Sequence, residues 1–110
     1  MRRALPLLLT LAAIPAVAGR APAGSLDTPA CRQNLPRAAA LVDAVAARDR
    51  KGPVRDPAQL CRLLRLNERD MAESRAIMAR CLTGHDLGEN VGQMDASLED
   101  VRGVIRQRCG

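Results

Sequence analysis

The sequence predicts an all-α protein: a small up-down-up three-helix bundle stapled by two disulfides, following a cleaved signal peptide. Three observations lead there. Apolar residues recur three and four apart along three stretches, and no two-residue alternation persists anywhere. The chain holds four cysteines but no Phe, Tyr or Trp. Its first residues carry the pattern of an export signal.

The export signal runs over residues 1–18. Arg2 and Arg3 make a positive start, Ala4 to Ile14 is apolar apart from Pro6 and Thr10, and Ala16-Val17-Ala18 is a small-residue cleavage site. The apolar run is too short to span a bilayer. Gly19 rather than Cys follows the cut, which argues against a lipid anchor. The expected destination is the periplasm or the medium of a bacterium, with no transmembrane segment in the mature chain. Residues 19–27 read as a flexible leader, and 28–110 as one domain.

Asp27-Thr28-Pro29 and Asn34-Leu35-Pro36 each look like a cap followed by proline at the first helical position. A short turn over 29–34 should therefore lead, with a kink, into a first helix at about 35–50. Leu35, Ala38, Ala39, Val42, Val45 and Ala46 form its apolar stripe. Gly52-Pro53 ends it, and Asp56-Pro57 opens a second helix, expected over 57–82. Leu60, Leu64, Met71, Met78 and Leu82 share one stripe of that helix, although Asn67-Glu68 could break it. The glycines of 83–90 read as a loop, leaving a third helix at about 90–108 with the seam Val91, Met94, Leu98, Val101 and Ile105.

This order constrains the cysteines. A continuous second helix separates Cys61 from Cys81 by about 30 Å, at about 1.5 Å per residue, and a disulfide needs Cα atoms within about 7 Å. Up-down-up packing instead brings Cys31 to Cys81 and Cys61 to Cys109. Cys-x-x-Cys spacing is absent, which disfavours zinc ribbons and thioredoxin-like chemistry. Without aromatic side chains, a core of Leu, Val, Ile, Ala and Met needs these staples.

The surface chemistry is basic. Without Arg2 and Arg3, 15 basic residues face 12 acidic ones, an excess too small to imply nucleic acid by itself. The absence of aromatics also removes base stacking, so a nucleic-acid partner is disfavoured. The topology gathers Arg48, Arg50, Lys51, Arg55, Arg62, Arg65, Arg106 and Arg108 at one pole, a possible anion-binding surface. Helix dipoles explain the cations that end helices 1 and 3, but not Arg62 and Arg65 near the start of helix 2.

Gly92, Ala96 and Gly103 make a small-residue face on helix 3, for which the expected partner is the Ala-rich helix 1 through Ala40, Ala44 and Ala47. Met71, Met78 and Met94 sit on seam positions and read as core filler rather than copper ligands. His85, with Asp86 and Glu89, is a weak candidate for a metal site in the 83–90 loop. No nucleophile accompanies it in sequence, and no catalytic residue or cofactor is expected. The sequence thus points to a non-enzymatic binding or interaction protein of the cell envelope, with an anionic component or another protein as partner. A metal-handling protein and an acid-stress chaperone are the alternatives.

Overall fold

The computed structural model describes residues 24–110; the export signal and most of the leader lie outside them. Three helices run α1 (Pro29–Asp49), α2 (Pro57–Cys81) and α3 (Gly84–Arg108) in an up-down-up bundle.

Local chemistry sets each boundary. The Thr28 hydroxyl caps α1 by accepting the Cys31 N–H at 3.1 Å, with Pro29 in the first turn. The expected separate turn over 29–34 is absent: α1 runs unbroken from Pro29 through Pro36. Pro36 removes the bond that would reach the Arg32 carbonyl, and Arg32 lies on exposed surface. The helix ends where Gly52 takes φ +92°, a left-handed conformation suited to glycine, just before Pro53. The Asp56 carboxylate caps α2 through the Gln59 N–H at 2.9 Å. Asn67 and Glu68 do not interrupt that helix.

The third helix begins at Gly84, six residues before the expected start, so 83–90 is not a loop. Gly88 lies inside the helix, and the turn from α2 is only Leu82-Thr83. A clasp from the leader holds that tight turn. Leu26 N–H donates to the Cys81 carbonyl at 2.7 Å and Thr83 N–H to the Gly24 carbonyl at 2.5 Å, around a Ser25–Leu82 bridge.

The central helix packs against both neighbours, whereas α1 and α3 make no backbone contact with each other. The bundle is therefore open along one side. The small face of α3 does not pack on α1 as expected: a Cβ added at Gly92 would meet nothing, and one at Gly103 only the end of Arg106. The core divides in two. Cys31, Ala38, Ile77 and Cys81 join α1 to α2 near one pole. Met71, Met94, Leu98 and Val101 join α2 to α3, with Val42 and Val45 reaching over from α1. Met71 and Met94 are thus core, and Met78 packs beside both clusters.

The contact between α1 and α2 is partly polar. Ser74 is fully buried and donates to the Ala38 carbonyl at 3.0 Å, a close approach that only small side chains permit. One turn further on, buried Asn67 and Asp70 both receive the Arg48 guanidinium, at 2.9 and 2.8 Å. No buried side-chain nitrogen or oxygen among the described residues lacks a partner. On the α2–α3 surface, Arg75 forms a paired contact with Asp95.

Both expected disulfides form. Cys31–Cys81 and Cys61–Cys109 join Cα atoms 5.4 and 5.7 Å apart, across sequence separations of 50 and 48. Closing loops of that size is worth about 4 kcal/mol in the chain-entropy account, often less in practice. Replacing Cys61 and Cys109 together by serine should lower unfolding free energy in urea by roughly 2–4 kcal/mol. A change under about 1 kcal/mol would mean that packing alone holds the pole.

The Arg75 hydrogen bond holds the Asp95 carboxyl below its ordinary range, and the charges of Arg75 and Arg102 add to that pull. A carboxyl depressed in the folded state adds stability above its unfolded value, 3.8, and loses it as pH falls through the folded value. Asp95→Asn should therefore lower Tm slightly near pH ~7, with the difference from the parent shrinking as pH falls below 3.8. A pH-independent difference would show that charge plays no part.

Candidate anion-binding pole

The ends of α1 and α3 and the start of α2 meet at one pole, where Cys61–Cys109 locks α2 to α3. Arg50, Lys51, Arg55, Arg62, Arg65, Arg106 and Arg108 are all exposed there. None of the seven side chains has an ion pair or hydrogen bond among the described residues.

Elsewhere the arginines are used. Arg32 pairs with Asp27, Arg37 with Glu73, Arg69 with Asp70, Arg75 with Asp95 and Arg102 with Glu68. Only Arg80, near the other pole, shares the unpaired state among the described residues. Arg48 corrects the expected set. Its guanidinium turns away from the pole's free cations onto Asp70 and Asn67, and its side chain is only 23% exposed. The sequence placed it by position along α1; its direction depended on two polar residues of α2 being buried.

The two carboxylates at this pole offset only part of the cluster. Asp56 caps α2, and Asp49 stands at the end of α1 without an ion pair among the described residues. The positive end of the α2 dipole adds to the same field, and the negative ends of the α1 and α3 dipoles oppose it near Arg50, Arg106 and Arg108. Seven like charges at one end reinforce one another where they lie within a Debye length, about 8 Å at physiological salt.

The pole also contains a cleft that sequence reasoning missed. Val54, Arg55, Pro57, Leu60, Cys61 and Arg108 line a half-open depression of about 450 Å³. The Cys61 sulfur lies 3.7 Å from the Arg108 carbonyl oxygen, so the disulfide fixes the end of α3 against the cleft. The signal was present: three apolar residues at 54, 57 and 60 precede Cys61, whose partner Cys109 follows Arg108. Combining that spacing with the expected bridge would have brought the two arginines to one apolar patch.

The other candidates are organised differently. His85, Asp86 and Glu89 sit in the first turns of α3 rather than in a loop. His85 Nε2 lies 2.8 Å from Glu89 Oε2, and its ring is 87% exposed. The Asp86 carboxylate instead lies against the Gly24 backbone. No group of three His, Cys, Asp or Glu side chains among the described residues is placed to hold a metal ion. A second depression of about 380 Å³ opens between α1 and α3, with Val45, Met71 and Val101 as its floor and Asp49 and Asp100 at its lips.

No protein-family model, curated protein or solved structure matches this chain. Its functional reading therefore rests on its own residues.

Arg48 and Arg50 give a direct contrast between a used and an unused cation. Arg48→Ala leaves Asp70 buried with its closest partner gone. Truncating one member of a fully buried pair costs roughly 3–5 kcal/mol, so this partly exposed one should cost about 2 kcal/mol in urea unfolding. Arg50→Ala should stay within about 0.5 kcal/mol of the parent. Equal effects would remove the distinction.

Proposed function

We propose that this chain is an exported, non-enzymatic binding protein of the bacterial cell envelope that engages an anionic partner through its basic pole. The observation that carries the reading is the segregation of charge. Arginines along the body of the bundle meet carboxylates, whereas seven cations at one pole meet none among the described residues.

Folding does not require that arrangement. Exposed unpaired cations contribute little to stability and repel one another, so an external anion is the natural complement. The Arg-rich composition suits it, because guanidinium groups bind phosphate, sulfate and carboxylate in a fork. Export is supported by the signal pattern of residues 1–18 and by two disulfides, which persist in oxidising compartments. No helix among the described residues is long and apolar enough to cross a membrane.

Retention on immobilised dextran sulfate and on phosphatidylglycerol vesicles, at low and high salt, tests the reading. The mature protein should bind at least one of them at low salt and release as salt rises, while phosphatidylcholine vesicles retain none. Arg62→Glu with Arg106→Glu should weaken binding by about tenfold or more, whereas Arg80→Glu should change it by less than about twofold. Salt-insensitive binding, or none to either anionic surface, would overturn the proposal.

A further inference from the structure

We infer that the cleft between Arg55 and Arg108 receives the head and first carbons of an anionic amphiphile, a phosphate or carboxylate carrying an alkyl chain. The inference rests on the anionic-partner reading and narrows it to one site and one ligand chemistry.

Two features coincide there. Arg55 and Arg108 line the cleft and have no carboxylate partner among the described residues. The rest of the lining is apolar: Val54, Pro57, Leu60 and the bridged Cys61. A fully hydrated polyanion would use the guanidinium groups and leave those walls wet. A neutral lipid would use the walls and leave two cations beside them unanswered. A charged head with an alkyl chain satisfies both.

The volume, about 450 Å³, is within the ordinary range for small-ligand sites. The start of α2 is not itself the anion site, because the Asp56 carboxylate already takes the Gln59 N–H. The guanidinium groups are therefore the available donors. The disulfide gives the cleft a fixed wall, since it ties the chain next to Arg108 to the second turn of α2. Alkyl contact should raise affinity by up to about fourfold for each methylene removed from water.

Isothermal titration of the mature, oxidised protein with decyl phosphate below its micelle-forming concentration tests the assignment. Inorganic phosphate and decyl maltoside serve as the head-only and tail-only arms. Decyl phosphate should bind at one site at least about tenfold more tightly than inorganic phosphate, and decyl maltoside should give no saturable heat. Arg108→Gln and Leu60→Ser should each weaken decyl phosphate by about fivefold or more. Val54→Ser, in the connection between helices, should act in the same direction and serves if Leu60→Ser fails to fold by circular dichroism. Retention of the two apolar variants on dextran sulfate should equal the parent's.

Decyl phosphate binding no tighter than inorganic phosphate, or unchanged by Val54→Ser, would overturn the cleft assignment. If salt-dependent retention on dextran sulfate survives that result, the basic pole stands without the cleft. If retention is lost as well, both readings fall together.

Discussion

Two disulfides join the two ends of α2 to two different helices, and the rest of the architecture depends on that division. Cys81 holds α1 and Cys61 holds the end of α3. A chain without a single aromatic side chain forgoes the residues that bury the most surface. The fully buried apolar residues are correspondingly few, and they form two clusters rather than one. The bridges compensate by restricting the unfolded chain, an effect independent of side-chain size. They also allow the bundle to stay open, because α1 and α3 are each tied to α2 and need not close on one another.

The two interfaces of α2 then follow different rules. Toward α3, Met71, Met94, Leu98 and Val101 provide ordinary apolar packing. Toward α1, Ser74 on Ala38 permits a close approach, and Arg48 is drawn over Asn67 and Asp70. A buried polar group is costly without a partner, so this side specifies register more sharply than an apolar stripe would. The Arg48 guanidinium reaches both acceptors only when α1 is aligned along α2 as it is here.

Much of this was legible in the sequence, and each miss has its own physical cause. The three helices, the α3 seam and the cysteine pairing all follow from periodicity, length and topology, which are properties of the chain itself. Pro36 and the glycines at 84 and 88 misled because local propensity was allowed to decide. Tertiary contacts overrode it: the leader clasp at Cys81 and Thr83 shortens the second turn, and the bridge from Cys31 holds the first turns of α1. Arg48 was placed correctly along its helix and wrongly in its environment. Asn67, Asp70 and Ser74 sit on the flank of the apolar stripe, where polar residues read as solvated. The missed cleft needed two predicted facts, the bridge and the apolar spacing, to be combined.

The segregation of charge acquires its meaning from the bridges. Seven mutually repelling cations at one end would favour fraying of helix termini, where backbone order is weakest. Here the strain of like charge falls where Cys61–Cys109 prevents the end of α3 from leaving α2. The bridge therefore maintains a field that the other contacts at that pole do little to neutralise. Any anion bound there relieves the repulsion and must stabilise the folded state in proportion to its affinity and concentration. Fold stability and partner binding are thus coupled at this pole, through a surface that the fold holds in place without satisfying.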